Sequence, residues 1–523
     1  MTGFSKDKRR LVDLMLADKG VRLAEGGEAA AIPRRFGGGP APLASNQEGL
    51  WFLEQMEPGK GNFNIPGAVR LQGQLNVKAL ERSFNEIIRR HEALRTTFVT
   101  QQDGTPSQVV SPATLFALSP IDLRDVPTHQ RETEVLRRTT DASQMHFDLQ
   151  QGPLMRIQLL RLGEEEHVLI LTIHHIVADG WSMDVLTKEL HALYGAFLNG
   201  HTSPLTDLPI QYSDYARWER DEARSEVLQS RLSYWQRQLS GSLPVLNLPT
   251  DHARPAIQSF SGKHHPLRLP ADLTEELRAL SQREGATLFM TLLSVFNMLL
   301  CHLTRQTDLI VGTGLANRER PELENLIGYF ATVLPLRTDL SDNLGFQQLV
   351  HRVRSVVLSA LANQGIPLAR LVQEIQPERD PSRNPLFQVE FTLLTPDRNP
   401  AVYGYGLSEL EETIELPGLT MLPLPVEGGV SRFDLAVFLW DMPSGLCGTV
   451  EYSTDLFDAA TIVEWTARFK KLIQLVVQQP KCAIRDLLET LGEELDRERS
   501  DLENSFKESM HEKLRRNKGK RRR

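Results

Sequence analysis

Residues 167–182 constrain the fold of this chain more than any other stretch. They read HVLILTIHHIVADGWS, an apolar strand-like run followed by two histidines and an Asp-Gly pair. Successive side chains of a strand point to opposite faces, so His174 and His175 lie on different faces. Both faces are otherwise apolar, which predicts a strand buried on both sides, where an imidazole needs a hydrogen-bond partner.

The residues after His175 predict a tight loop and then a helix. Asp179–Gly180 is a turn signal, and WSMDVLTKELHALYGAFL follows with leucines at helical spacing. Ser182 is the predicted N-cap of this helix. Side chains at the end of a strand and beside a helix N-terminus face a cleft while a rigid scaffold holds them. We therefore predict a reaction centre at this junction.

Composition excludes several classes of protein. The 523 residues are 41% hydrophobic and carry a net charge of −8, which is typical of a globular enzyme and not of a nucleic-acid-binding protein. No stretch reaches the roughly 18 consecutive apolar residues that a membrane span requires. Cys301, Cys447 and Cys482 form no CxxC pair and suit a reducing compartment. We expect a cytoplasmic protein.

Four parts are predicted along the chain. Residues 1–40 are predicted as a leader helix with a Gly- and Pro-rich linker, and residues 486–523 as a charged linker. The body between them mixes strands and helices, and it divides into residues 41–216 and 217–485 near a charged helical stretch. The basic run at the C-terminus, LRRNKGKRRR, is interpreted as solvated linker because no aromatic residues are interleaved with it.

No metal or nucleotide site is predicted. His264 and His265 are adjacent but have no carboxylate or cysteine at metal-ligand spacing. The segment GTGLAN at 312–317 is not a phosphate-binding loop.

The stretch HHIVADGWS at 174–182 resembles the core motif of nonribosomal peptide synthetase condensation domains. Other segments resemble the remaining motifs of that family in the same order, namely 42–76, 90–98, 212–218, 327–337, 363–372 and 379–391. This chain carries Asn46 where the family usually has Ala, and Ala331 and Val333 where an FVNTLPLR form is commoner. The resemblance covers nearly all of residues 42–480.

The resemblance implies a fold and a reaction. The expected fold class is α/β (α+β), with two chloramphenicol-acetyltransferase-like lobes, residues 41–216 and 217–485, arranged as a V around a central channel. The implied reaction joins an acyl or peptidyl thioester on a donor carrier protein to the amine of an aminoacyl thioester on an acceptor carrier protein. The carriers supply the phosphopantetheine, so this domain needs no cofactor of its own. Adenylation or other synthetase domains are expected as neighbours.

The same resemblance suggests roles for the residues at the junction. His175 is expected to be catalytic, as a general base or as the group that orients the amine, and the N–H of Gly180 is expected to donate to the thioester carbonyl. His174 is expected to be structural. Asp179 could complete a catalytic triad, but a structural pairing with Arg318 or Arg95 is preferred.

Three further residues are candidates for the substrate channel. Trp181 and Ser182 extend the motif and are expected to line the channel, or simply to pack and cap the helix. Asn384, in the segment SRNPLF, is a candidate for a polar contact near the site.

Alternatives from other classes remain open. One is an epimerisation-type domain, or a degenerate domain that binds carriers without catalysis. Another is a stand-alone acyltransferase that uses coenzyme A, although the DFGWG-like segment of its plant members is missing. The donor could also come from a polyketide synthase.

Overall fold

The structure is a computed structural model, which describes residues 31–35, 39–56, 59–222, 225–342, 344–394, 413–426 and 428–497. The predicted leader helix lies outside the described residues. Residues 498–523, including the basic run, also lie outside them.

The first lobe, called the N-lobe below, is built on a six-stranded sheet with the order β12-β13-β2-β7-β6-β5. Neighbouring strands are antiparallel except β6 and β5. The strands are β2 (Asn64–Gly73), β5 (Ile121–Asp122), β6 (Met155–Arg161), β7 (Glu166–His174), β12 (Ile414–Leu416) and β13 (Leu419–Leu424). Both faces of β7 are buried, as its apolar sequence predicts. Its last residue is the first of the two histidines.

Helices cover the N-lobe sheet, and a small sheet of order β1-β4-β3 adjoins it. These elements are β1 (Ala41–Pro42), β3 (Thr96–Thr100), β4 (Pro106–Val110), α1 (Ser45–Met56), α2 (Val77–Arg90), α3 (Thr128–Ser143), α4 (Gly180–Leu198) and α5 (Tyr212–Glu222). Helix α2 shows why the sequence folds in this way. Asn76 Oδ1 accepts the N–H of Ala79 and caps the helix, while Leu80, Phe84 and Ile87 form its buried stripe.

The second lobe, called the C-lobe below, is built on a six-stranded mixed sheet with the order β10-β9-β11-β14-β15-β8. The strands are β8 (Gly262–Pro270), β9 (Asp308–Leu315), β10 (Thr332–Asp339), β11 (Val389–Leu394), β14 (Leu435–Met442) and β15 (Gly445–Ser453). Strand β11 pairs in parallel with β9 and β14, and the other pairs are antiparallel.

One face of the C-lobe sheet packs against helices and forms the larger hydrophobic core. The helices of this half are α6 (Glu226–Gln238), α7 (Ala271–Arg283), α8 (Leu288–Thr304), α9 (Phe346–Ala362), α10 (Leu368–Ile375), α11 (Ala459–Gln478) and α12 (484–497). Helix α8 is almost wholly buried, as its nearly all-apolar sequence predicts.

Two segments from the second half of the chain cross into the N-lobe. Strands β12 and β13 extend the N-lobe sheet by pairing with β2. The second segment, called the bridge segment below, consists of residues 316–331 between β9 and β10. Its residues Leu323, Leu326 and Phe330 lie in the N-lobe core. Residues 217–485 are therefore not a single lobe, because both crossing segments complete the hydrophobic core of the N-lobe.

The predicted boundaries need two corrections. The break predicted at 216/217 falls inside helix α5, whose Tyr212, Tyr215 and Ala216 belong to the N-lobe core. Residues 486–497 are not linker, because helix α12 buries Leu487 and Leu491 against the C-lobe core. The sequence prediction missed this helix because its few apolar residues are interspersed among many charged ones.

No single helix in the described parts of the chain is long and apolar enough to cross a membrane. Helices α7 and α8 pass that test only as a pair, with a bend of 103° between them. The described residues also contain no cluster of three or more His, Cys, Asp or Glu side chains that could hold a metal ion.

Leu487→Ala is expected to lower the free energy of unfolding by about 2–5 kcal/mol, because it opens a cavity in the C-lobe core. Urea denaturation measures this change. Glu489→Ala, a substitution outside the buried stripe of the same helix, is the matched control and should stay within about 0.5 kcal/mol of the unmodified protein. Equal effects of the two substitutions would show that α12 is not part of the lobe.

Candidate active site

His175 lies immediately after β7, in a single 3₁₀ turn, His175–Val177, that leads to helix α4. Its main-chain N–H donates to the carbonyl oxygen of Phe63 at 2.8 Å. The edge of its ring packs on Tyr329 of the bridge segment, with ring centroids 4.7 Å apart and planes at 68°. Only 9% of the residue is exposed. The imidazole is therefore buried at the contact between the end of β7 and the bridge segment, which comes from the second half of the chain.

Burial and a nearby cation keep the His175 ring uncharged. Burial lowers its pKa most, Arg432 lowers it further, and together they bring the pKa to about 3 although Asp179 opposes them. The main chain of His175 itself also favours protonation slightly, but Nδ1 has no hydrogen-bond partner of normal geometry among the described residues. At neutral pH the ring is therefore a neutral acceptor.

His174 points to the opposite face and uses both of its ring nitrogens. Nδ1 accepts the N–H of Ile176 at 3.1 Å, so Nε2 carries the proton and donates to Glu54 Oε1 at 3.1 Å. Phe147 packs edge-on against the ring. This arrangement fits the structural role predicted for His174, because it fixes the turn that carries His175.

Asp179 is fully buried and receives hydrogen bonds from both halves of the chain. Oδ2 accepts from Arg318 Nη1 at 2.9 Å and from the main-chain N–H groups of Phe330 and Ala331 at 3.1 Å. Oδ1 accepts from the N–H of Ser182 at 2.9 Å and from Arg318 Nη2 at 3.1 Å. Burial alone would raise the pKa of Asp179, but the charge and hydrogen bonds of Arg318 hold it below its usual value.

The predicted pairing of Asp179 with Arg318 is thus present, and the triad alternative has no geometric support. Every hydrogen bond recorded for the Asp179 carboxylate comes from a group other than the His175 ring. Arg318 also donates to the carbonyls of Leu323 and Leu326, so the ion pair organises the bridge segment.

The alternative pairing of Asp179 with Arg95 is wrong. Arg95 Nη1 donates to the carbonyl of Ser111 at 2.5 Å, and its Nη2 lies 3.7 Å from Glu92. It lines a pocket of about 390 Å³ together with Arg34 and Arg35. Arg95 pairs elsewhere because it ends the 3₁₀ turn before β3, whereas Asp179 caps the start of helix α4.

The start of helix α4 differs from the prediction by three residues. Asp179 is the N-cap, and Ser182 completes a capping box with it. Ser182 is 1% exposed, and its hydroxyl accepts the N–H of Gly328, so it does not line a channel. Trp181 donates from Nε1 to the carbonyl of Glu324 and packs beside Arg318. Both side chains hold the bridge segment.

Gly180 is the first residue of helix α4. The first N–H groups of a helix have no acceptor within that helix, and the helix dipole places partial positive charge there. That the Gly180 N–H donates to a thioester carbonyl stays a prediction.

Asn384 is bound to the main chain of Arg432. Its Nδ2 donates to the carbonyl of Arg432 at 2.7 Å and holds the segment before β14. Through this hydrogen bond it supports the main chain that carries Arg432.

Sequence reasoning missed several residues around His175. Tyr329 and Phe63 lie in segments that were quoted as motifs, but no periodicity singles them out. Arg432 precedes β14 and has no signal in the sequence, because its nearness to His175 arises only when the lobes meet. Asn46 Nδ2 donates to the carbonyl of Ala331 at 2.8 Å, so helix α1 also holds the bridge segment.

Comparisons with known proteins agree with this architecture. The family model described as condensation domain matches residues 39–497. Chondramide synthase cmdD of Chondromyces crocatus is 42% identical over 446 residues, which is 85% of this chain and 11% of that protein. The X-domain from teicoplanin biosynthesis has a TM-score of 0.77 at 30% identity, covering 87% of this chain and 99% of that one. The first condensation domain of the calcium-dependent antibiotic synthetase, in complex with a substrate analogue, has a TM-score of 0.69 at 20% identity, covering 85% and 98%.

The fold is the mixed, two-lobed architecture of the chloramphenicol-acetyltransferase type, so the predicted fold class is confirmed. The chain belongs to the condensation domain family of nonribosomal peptide synthetases. It spans only a small part of the length of the curated relatives that it matches first.

Asp179→Asn is expected to destabilise the protein by about 3–5 kcal/mol, because it leaves the Arg318 guanidinium buried without its counter-charge. Urea denaturation at pH 7 measures the loss. Asp342→Asn removes an exposed carboxylate that pairs with Arg352, and it should cost less than about 1 kcal/mol. Comparable losses in the two variants would contradict the central role of the buried pair.

The low pKa of His175 predicts a dependence of stability on pH. The folded ring has a pKa of about 3 and the unfolded ring a pKa of about 6.5, so below pH 6.5 the unfolded state binds a proton that the folded state does not. Stability should therefore fall as the pH is lowered through this window. Between pH 7 and 5.5, the free energy of unfolding should fall by about 1 kcal/mol more in the unmodified protein than in His175→Gln. Equal slopes for the two proteins would contradict the buried, neutral state of the ring.

Proposed function

We propose that this domain forms an amide bond between a donor acyl or peptidyl thioester and the amine of an aminoacyl thioester, each held on a carrier protein. The observation that carries the proposal is the neutral imidazole of His175, which packs against Tyr329 of the bridge segment. Membership of the condensation domain family supports the same chemistry.

In the proposed reaction, the amine nitrogen attacks the carbonyl carbon of the donor thioester. The carbon–nitrogen bond forms, the carbon–sulfur bond breaks, and the donor leaves the thiol of its carrier. His175 accepts a hydrogen bond from the attacking amine and orients its lone pair. It then passes the amine proton to the departing sulfur. The low pKa of the ring favours this orienting role over proton removal before attack.

The other residues of the junction act on this centre. The N–H of Gly180, at the positive end of helix α4, donates to the carbonyl oxygen of the donor thioester. The Asp179–Arg318 pair keeps the bridge segment in place, and this segment presents Tyr329 to His175.

The partners follow from the proposed chemistry. Donor and acceptor carrier proteins bring their phosphopantetheine arms to His175 through a channel between the lobes, so the domain itself needs no bound cofactor. Adenylation domains load the carriers in the same synthetase. That the relatives are far longer than this chain supports such neighbours.

A second candidate function is a platform that binds partners without catalysis. It is favoured by the 30% identity to the X-domain from teicoplanin biosynthesis, which has also been solved in a complex with OxyB. The measurement below separates the two candidates.

His175→Ala is expected to reduce amide formation by about 10²–10⁴-fold, because the attacking amine loses its acceptor. The assay mixes the protein with carriers loaded with candidate acyl and aminoacyl groups and determines the intact mass of the acceptor carrier. His129→Ala, an exposed histidine on helix α3, is the matched control and should condense at the unmodified rate.

Two outcomes would contradict the proposal. His175→Ala that condenses at the unmodified rate would remove the role of the imidazole. Unmodified protein that binds loaded carriers but forms no amide with any tested pair would favour the platform.

A further inference from the structure

Arg432 is a half-buried cation without an ion pair among the described residues. Two buried glutamates lie on the neighbouring strands, but neither carboxylate binds the guanidinium. Glu451 Oε1 accepts the main-chain N–H of Arg432 at 3.1 Å, and Glu390 Oε1 accepts the hydroxyl of Thr392 at 3.0 Å. The recorded contact of the guanidinium is with the Phe63 ring, 5.9 Å from its centroid. Such a charge is costly unless water or an anion completes its surroundings.

The main chain of Arg432 is firmly fixed on the C-lobe. Its carbonyl accepts from Asn384 Nδ2 at 2.7 Å and from Gln258 Nε2 at 3.0 Å, and its N–H is bound by Glu451. The guanidinium therefore extends from a rigid base to a residue of the N-lobe. A cation that is fixed in this way needs little reorganisation when it binds an anion.

Phe63 connects this guanidinium to the reaction centre. Its carbonyl accepts the main-chain N–H of His175, and its ring lies beside Arg432. The field of Arg432 reaches the surrounding groups as well. Burial raises the pKa of Tyr329, and it raises that of Glu390 to about 7, while Arg432 opposes both shifts.

The other charges near His175 do not cancel this field. The charge of Asp179 is balanced by Arg318, and both ring nitrogens of His174 are engaged in hydrogen bonds on the other side of the turn, with Ile176 and Glu54. The carboxyl of Glu390 is partly protonated near neutral pH because burial raises its pKa to about 7. Burial and Arg432 both disfavour an imidazolium at His175, and the positive charge of Arg432 favours an anion beside it.

We infer that Arg432 is a catalytic residue whose guanidinium stabilises the negative charge that forms on the thioester oxygen when the amine attacks. This inference rests on the proposed function. As the carbon–nitrogen bond forms, the electrons of the carbonyl π bond move to oxygen, and the guanidinium donates to that oxyanion together with the Gly180 N–H. Collapse of the intermediate restores the carbonyl and expels the thiolate, which receives the amine proton through His175.

A binding experiment tests the inference without turnover. Two pantetheine-linked analogues are compared: a phosphinate, which places a tetrahedral anion at the reacting carbon, and a methylene ketone, which is neutral. The unmodified protein should bind the phosphinate more tightly than the ketone. Arg432→Gln should lose at least about tenfold in affinity for the phosphinate, equivalent to about 1.4 kcal/mol, with the ketone within about twofold.

Arg432→Lys and Arg352→Gln are the matched variants. The lysine keeps the charge and should retain most of the preference for the phosphinate. Arg352 lies on the C-lobe surface and pairs with Asp342, so its removal should change neither affinity. In single-turnover condensation, Arg432→Gln should be slower by about 10²-fold, the loss typical of one oxyanion donor, and Arg352→Gln should be unchanged.

The results also separate this inference from the proposed function. Equal losses for both analogues in Arg432→Gln, or phosphinate binding that does not change, would overturn the role of Arg432. Unmodified protein that binds the phosphinate through Arg432 but condenses no carriers would overturn the proposed function and leave an anion site at Arg432.

Discussion

The buried ion pair between Asp179 and Arg318 is the interaction on which the site depends. Asp179 begins helix α4 in the N-lobe, whereas Arg318 belongs to the second half of the chain, and neither is exposed. A buried pair of this kind adds little stability by itself, but any conformation that buries one charge without the other is strongly destabilised. It therefore specifies one position for the bridge segment, and Tyr329 on that segment packs against His175.

The pair also affects the balance of charges around His175. The carboxylate of Asp179 is close enough to His175 to raise the pKa of the ring, but its charge is balanced by Arg318 and by main-chain N–H groups. The stronger influences on His175 are burial and Arg432, and both favour the neutral ring. In this chain the carboxylate four residues after His175 binds Arg318 and the bridge segment, and its recorded hydrogen bonds do not include the imidazole.

The sequence predicted the parts of this structure that depend on local pattern. The strand β7, the helix that follows it and the buried helix α8 follow from the spacing of apolar residues. The partner of Asp179 could be narrowed to two arginines, of which Arg318 pairs with it. The pattern did not predict that β12, β13 and the bridge segment cross into the N-lobe, because such pairing joins residues hundreds of positions apart. Arg432 was missed for the same reason, since its nearness to His175 depends on contacts between lobes.

The segments that cross between the lobes explain why the site is rigid although its residues come from both lobes. Asn46 on α1, Asp179 at the start of α4 and Ser182 one turn later all bind main-chain groups of the bridge segment. On the other side, Asn384 and Gln258 fix the main chain of Arg432. The N-lobe thus holds His175 and the C-lobe holds Arg432, and the proposed reaction centre is complete only when the two lobes are packed together. Any movement that separates the lobes would withdraw Arg432 from His175, so lobe packing and charge at the centre are physically coupled.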